Sequence, residues 1–198
     1  MAKRQILLLD VMETLVCEPF YEAMPKHFGM TFEQLLEAKH PTAWIAFEKG
    51  VITEDEYVQK FFHDERSVDG EALRDCLWQV YEWMDGMHAL TRELHGLGYE
   101  MHALSNYPIW YEMIEEKLGL SRYLEWTFVS TRTGLRKPDE RAFLHAAESL
   151  NVSPEQCLFI DDRAVNVDAA QKVGMDSILM KGAGKLRHEL RIRGLIAE

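Results

Sequence analysis

The sequence predicts an α/β protein: an open sheet of parallel strands flanked by helices, with a helical segment inserted after the first strand. Three observations predict it. Five short runs, at 5–9, 100–104, 126–130, 156–160 and 177–180, are rich in apolar residues on both faces, as strands buried on both sides require. Helix-period stripes lie between them, and strands alternating with helices form a parallel sheet with right-handed crossovers. The stretch 18–84 breaks that rhythm, with several helix signals and no convincing strand run.

Taken in order, the first run ends in Asp10. In the inserted segment, Thr31-Phe-Glu-Gln34 and Thr53-Glu-Asp-Glu56 read as capping boxes, in which a hydroxyl and a side chain three residues on satisfy the free N–H groups of a helix start. Trp44, Phe47, Tyr57, Phe61, Leu73, Leu77 and Tyr81 supply apolar stripes between them. Beyond the insertion, Leu90, Leu94 and Leu97 share a helix face after Gly86. Tyr111, Ile114 and Leu118 do the same after the second strand, and Ala142, Phe143, Ala146 and Leu150 before the fourth. Ser153-Pro-Glu-Gln156 reads as a third capping box with proline at the first helical position, with room for one turn only. The expected division is a core domain of residues 1–17 and 85–198 and a helical cap of residues 18–84.

Composition narrows the function. The 198 residues are 47% hydrophobic and 28% charged, values of an ordinary globular chain. No apolar run approaches the roughly 18 to 20 residues that span a bilayer, and the start MAKRQILLLD has too few apolar residues for a signal-peptide core. No membrane association is expected. A net charge of −11 with no Lys/Arg run argues against a nucleic-acid partner. It does not oppose a phosphorylated small molecule, which responds to local charge and bound metal. Cys17, Cys76 and Cys157 are odd in number and widely spaced, which suggests reduced thiols and no zinc site, with Cys17 read as a core thiol. His88 and His95, seven apart, read as surface residues rather than ligands. The expected compartment is the cytoplasm, or an organelle stroma if a transit peptide has been removed, and the expected state a monomer or homodimer.

Four polar motifs fall at the carboxyl ends of the strands, the edge where open parallel sheets bind ligands. They are Asp10 after the first strand, Ser105-Asn106 after the second, Lys137-Pro138 between the third strand and a helix whose first turn can hold Pro138, and Asp161-Asp162 after the fourth. Singly, each has an ordinary reading as a cap, turn or corner; together, from distant stretches, they define a site. Asp10, Asp161 and Asp162 crowded at one edge would repel and resist ionising unless a cation joined them. Oxygen ligands of this kind suit Mg²⁺, which takes one or two carboxylates plus substrate phosphate. Lys137 and the Ser105 hydroxyl would hold phosphoryl oxygens, and Asp10 would attack phosphorus to form an aspartyl-phosphate. Asn166, four residues after Asp162, reads either as a support for a carboxylate or as a surface amide.

The set Asp10…Thr14, Ser105-Asn106, Lys137-Pro138 and Asp161-Asp162 resembles the four motifs of the haloacid dehalogenase (HAD) superfamily over nearly the whole chain. ALSNYP, GLRKPDERAF and LFIDDRAVNVDAAQKVGM are especially close to its first subgroup, whose small helical cap follows the first motif. The resemblance implies a Rossmann-like core, Mg²⁺ and a small phosphorylated substrate. It implies Asp10 as nucleophile, Ser105, Asn106 and Lys137 at the phosphoryl group, and Asp10, Asp161, Asp162 and the backbone carbonyl of Met12 at the metal. The stretches DVMETLV, FYEAMPKHFGM, AWIAFEKG and NYPIWYEMIEEKLG are similar to plant-type flavin mononucleotide hydrolases of that superfamily. Trp44, Phe47, Trp110 and Tyr111 are then either packing or a platform for a planar ring.

Met12 departs from the pattern. Phosphatases of the superfamily carry an aspartate there that protonates the leaving oxygen and later activates water, help worth about 10² to 10⁴ in rate. Glu13, the next residue, is a weak stand-in because strand alternation points it elsewhere. Three readings stay open: a Mg²⁺-dependent phosphatase with weakened or relocated acid catalysis, a metal-independent dehalogenase-type hydrolase, and a phospho-ligand-binding module without turnover. The paired Asp161-Asp162 speaks against the second.

Overall fold

The computed structural model describes residues 5–197, so residues 1–4 and 198 of the expected core lie outside the described residues. The five apolar runs become β1 (Ile6–Leu9), β2 (Met101–Ser105), β3 (Glu125–Val129), β4 (Cys157–Asp161) and β5 (Asp176–Leu179). They form one parallel sheet in the order β3-β2-β1-β4-β5. Because side chains alternate across a strand, two cores form. Leu7, Leu9, Met101, Ala103, Leu158 and Ile160 feed one face; Ile6, Leu8, Leu104, Phe128 and Phe159 feed the other. That double burial leaves β1, β2 and β4 buried at every position, while the edge strand β3 exposes Glu125.

Each strand lies within one residue of its expected bounds, yet the offsets matter at the site. Ser105 and Asp161 are the last residues of their strands rather than the first after them. Ser130, expected to close the third strand, instead opens a short helix.

The stretch 18–84 folds as α1 (Ala23–His27), α2 (Phe32–Ala38), α3 (Ala43–Glu48), α4 (Glu54–Gln59) and α5 (Gly70–Val80). The Thr31 and Thr53 capping boxes start α2 and α4. Where the chain leaves the sheet and where it returns lie side by side: Val16 bridges Trp83, the Cys17 N–H donates to Glu82 O (3.0 Å) and the Met84 N–H to Leu15 O (2.9 Å). Inside the segment Phe47 stacks on Tyr57 with centroids 4.6 Å apart. Trp110, from the loop after β2, meets both rings edge-on and seats the helices over the carboxyl end of the sheet. Burying aromatics of this size contributes roughly 1.5–3 kcal/mol each. Gly50 marks the closest approach: a Cβ there would stand 2.6 Å from the Thr131 carbonyl oxygen.

The remaining helices are α6 (Met87–Gly96), α7 (Tyr111–Leu118), α8 (Ser130–Thr133), α9 (Glu140–Ser149), α10 (Ala164–Lys172) and α11 (Ala183–Ile192). Leu90, Leu94, Leu186 and Leu190 of α6 and α11 join one core, and Phe143, Ala146, Ala169 and Ala170 of α9 and α10 the other. Two expectations are corrected. Leu97 follows the last turn of α6 and is 40% exposed, because the chain turns at Gly98 before that leucine reaches the core. Pro138 is not in the first turn of α9: Asp139 caps that helix by accepting from the Arg141 N–H, which leaves Pro138 outside, joined to Lys137 by a cis peptide. Ser153-Pro-Glu-Gln156 does form only one turn, a 3-10 helix at Pro154–Gln156. Among the described residues no helix is long and apolar enough to cross a membrane.

Candidate active site

Register brings the strand-end motifs together. Leu9 pairs with Ile160, and the Asp10 N–H donates to Ile160 O (2.9 Å), so Asp10 and Asp161 end neighbouring strands at the same level. Lys137 reaches them from the loop before α9 and is one of the most completely buried side chains in the protein. Its ammonium donates to Asp10 Oδ1 (2.8 Å) and Asp161 Oδ2 (2.7 Å). Carboxylate oxygens of Asp10, Asp161 and Asp162 lie within 4.8 Å of one another. Three carboxylates against one ammonium leave two negative charges uncompensated, the charge of one divalent cation.

The electrostatics carry the mark of that imbalance. Burial pushes the Asp10 carboxyl up to about 8; Lys137 offsets part of the rise, and the charges of Asp161 and Asp162 add to it. Burial, then Asp161, raises Asp162 as well. Burial alone would lower Lys137, but Asp10 and Asp161 overcome it and hold the ammonium above its ordinary range. A divalent cation against Asp10 and Asp162 would reverse the carboxylate shifts, because it favours the ionised form. The donor set therefore fits a hard, oxygen-seeking ion.

The carboxylates differ in exposure. Asp161 is wholly buried and its oxygens are already engaged: besides Lys137, they accept from the Arg163 N–H (2.8 Å) and from the Asn166 amide, 3.0 Å from each. Asn166 is thus a carboxylate support rather than a surface amide. Asp10 and Asp162 instead line a cavity of about 270 Å³, together with Met12 and Lys137. The Ser105 hydroxyl, at the end of β2, is buried with no hydrogen-bond partner among the described residues. Leaving such a group unpaired costs about 1–3 kcal/mol, a cost that an acceptor oxygen would remove.

Asn106 lines the cavity, but its amide faces inward. Nδ2 donates to Lys137 O and Oδ1 accepts from the Lys137 N–H, both at 2.8 Å. In this arrangement the side chain expected at the substrate clamps the backbone that carries Lys137. Glu13 is likewise redirected. It adopts a left-handed φ of 54° and its Oε1 accepts from the Glu18 N–H (2.9 Å).

The opposite wall comes from the inserted segment, and sequence reasoning missed most of it. Phe20 and Trp44 give it aromatic faces, and Tyr107, from the loop after β2, adds another. Lys39 lies with its ammonium 4.2 Å from the Phe20 ring centroid and 5.3 Å from that of Trp44. Burial lowers its pKa to about 8. Burial also raises the Glu18 carboxyl to about 7. Glu48, beneath them, pairs with Arg136. Of the four aromatics singled out in the sequence, Phe47 and Trp110 are packing, Tyr111 is half-buried against Trp126, and Trp44 lines the cavity. Cys17 is half-buried and its thiol is raised by burial; His88, exposed, stacks on Trp83 and bonds the Tyr123 hydroxyl (3.0 Å).

A parallel sheet of this order with acidic and basic motifs at its carboxyl edge is an α/β core with a charged site, and the chain belongs to the haloacid dehalogenase-like hydrolase family, whose pattern matches residues 8–174. It is 47% identical over 193 residues to flavin mononucleotide hydrolase 1 (chloroplastic) of Arabidopsis thaliana, which covers 98% of this chain and 79% of that protein. A sesquiterpene phosphatase of Aspergillus oryzae is 33% identical over 96 residues, 45% of this chain and 46% of that protein. Among solved structures, a HAD family enzyme of Bacteroides thetaiotaomicron superposes with a TM-score of 0.76 at 20% identity, covering 95% of this chain and 98% of that one. The fold is that of the HAD family.

Proposed function

We propose that this protein is a Mg²⁺-dependent phosphatase that hydrolyses a small phosphate monoester, with flavin mononucleotide as the first candidate substrate. The observation that carries the reading is the convergence of Asp10, Asp162 and Lys137 on one cavity, with the unpartnered Ser105 hydroxyl at the end of the adjacent strand. The relationship to the Arabidopsis flavin mononucleotide hydrolase supports it.

Asp10, Asp162 and the carbonyl of Met12 would hold the Mg²⁺, and Asp161 would act mainly by fixing Lys137. When bound, the ion would supply charge that draws the phosphoryl group against Asp10. Lys137 and Ser105 donate to phosphoryl oxygens, and Asn106 keeps Lys137 in place. An Asp10 oxygen attacks phosphorus and forms an aspartyl-phosphate, which water then hydrolyses. Residues 18–84 act as a cap, hung on the paired backbones at Val16 and Trp83.

The cavity, at about 270 Å³, lies at the lower end of the roughly 300–1,000 Å³ typical of small-molecule sites. Small esters fit it as it stands, whereas a three-ring flavin requires the cap to move outward and the ring to lie against Trp44. The reading places the protein in a reducing compartment, cytosol or plastid stroma, consistent with three free cysteines. The test is a panel of phosphate monoesters, flavin mononucleotide included, assayed with and without Mg²⁺. Phosphate release that requires the metal is expected. Fluoride release from fluoroacetate without metal, or tight phosphate binding with no turnover, would overturn the reading.

A further inference from the structure

A phosphatase with methionine at position 12 still has to deliver a proton to the oxygen that leaves phosphorus. The cavity contains four acidic side chains besides Asp10, and the structure separates them. Asp162 belongs to the cation site. Glu48 is paired with Arg136. Glu13 has turned back onto the Glu18 backbone. Glu18 remains. Its Oε1 accepts from the Phe20 N–H (3.1 Å), while Oε2 has no hydrogen-bond partner among the described residues. A proton on this carboxyl therefore belongs on Oε2, on a residue that lines the same cavity as Asp10 and lies within the field of Asp162.

Resting on the phosphatase reading, we propose that Glu18 is the general acid for the leaving group, and that Glu13 positions it. In the first step an Asp10 oxygen bonds to phosphorus as the bond from phosphorus to the ester oxygen breaks. The electron pair of that bond passes to the ester oxygen, which takes the Oε2 proton and departs as an alcohol, leaving Glu18 a carboxylate. In the second step water attacks phosphorus, its proton returns to Glu18, and the bond to Asp10 breaks to release inorganic phosphate. Protons and charges balance with no further reactant.

The surroundings suit the role. Glu13 from the same loop, Lys39 from the end of α2 and Asp162 after β4 act on the Glu18 carboxyl, which in turn acts on the hydroxyls of Tyr21, Tyr81 and Tyr107; Arg163 lines the same cavity. Burial and the negative neighbours outweigh Lys39 and the Phe20 N–H, so the carboxyl stays protonated up to about pH 7. Glu13 is held at a left-handed φ, a conformation that costs about 1–3 kcal/mol, with its N–H donating to Val16 O (2.8 Å) and its side chain accepting from the Glu18 N–H.

The experiment compares first turnovers on p-nitrophenyl phosphate, whose leaving group needs no proton, and on an alkyl phosphate, whose leaving group does. In Glu18→Gln the alkyl first turnover is expected to slow by about 10² to 10⁴-fold. The nitrophenolate burst should keep its wild-type rate, followed by a slow steady state. Equal slowing of both substrates, or of neither, overturns the proposal. A readout on the unaltered protein guards against a folding defect: the ratio of alkyl to aryl first-turnover rates should fall about tenfold per pH unit above about 7, and a flat ratio overturns the proposal. Failure of the parent reading looks different, since the unaltered protein would then release phosphate from neither substrate with Mg²⁺ present.

Discussion

The floor and the wall of the cavity are built on opposite principles. The floor is Asp10 and Asp161 at the ends of adjacent strands, tied together by the ammonium of Lys137 from the loop before α9, and burial leaves these groups little freedom. The wall, Glu18, Phe20, Lys39 and Trp44, comes from a loop and helices of seven residues or fewer, held to the sheet by aromatic packing and by Arg136–Glu48. Rigid sheet ends suit groups that must meet phosphorus at fixed geometry, while a separately seated wall suits a group that varies between substrates. Floor substitutions should therefore abolish chemistry on every substrate, and wall substitutions should discriminate among substrates.

The largest effect is expected from replacing Asp10, the proposed nucleophile. Asp10→Asn is expected to lower turnover by on the order of 10⁴-fold or more on every phosphate monoester, aryl or alkyl. A variant with unchanged turnover in a Mg²⁺-supplemented phosphate-release assay would remove Asp10 from the chemistry. Next in size, Met12→Asp restores a carboxylate at the floor. It should raise turnover of alkyl phosphates by about tenfold or more, and in a Glu18→Gln background should recover most of what that change removes. A rise in the single variant with no recovery in the double would show that the two positions serve different steps.

Asp10 and Asp161 were legible in the sequence because they end apolar runs, and parallel strands bring their carboxyl ends to one edge whatever lies between; Lys137 was legible from its motif between the third strand and the next helix. What the sequence concealed was the partner of each polar group. Asn106 stands where a phosphoryl contact was expected, yet its two amide atoms match the N–H and C=O of Lys137, a pairing set by the loop before α9. The wall was scarcely legible. Glu18 and Lys39 carry no pattern of their own, and their proximity depends on how short helices seat on Trp110 and around Gly50. Trp44 and Phe47 are three apart on one helix and share an apolar stripe, but only Trp44 reaches the cavity. Helical periodicity shows which face is buried, not whether it meets a core or a ligand.

Lys137→Met tests the floor as structure. It leaves Asp10 and Asp161 buried without their ammonium, a change expected to cost about 3–5 kcal/mol in unfolding free energy. The pH dependence has a definite sign. The Asp10 carboxyl is held at about 8 in the folded protein, above its unfolded value of roughly 3.9. Its contribution to stability is therefore complete below the unfolded value and is lost as pH rises through about 8. A cation bound to the ionised form works in the opposite direction. The gain in thermal stability on adding Mg²⁺ should therefore grow between pH 6 and pH 8. A gain independent of pH would place the ion away from Asp10.

The smallest effect belongs to the wall. Trp44 presents its ring to the cavity and is steadied by Tyr107 and Trp110 at centroid distances of 6.0 Å each. Aromatic contacts contribute about 0.5–1.5 kcal/mol beyond buried area, which corresponds to about twofold to tenfold in affinity. Trp44→Leu keeps an apolar side chain in the wall but removes the flat face. It should raise KM for flavin mononucleotide within that range while leaving kcat, and both constants for glycerol phosphate, unchanged. If KM rises equally for the two substrates, the tryptophan maintains the cap rather than reading a ring, and selectivity must come from Lys39. If KM changes for neither, the flavin ring lies elsewhere, because a stacked ring cannot lose its platform without loss of affinity.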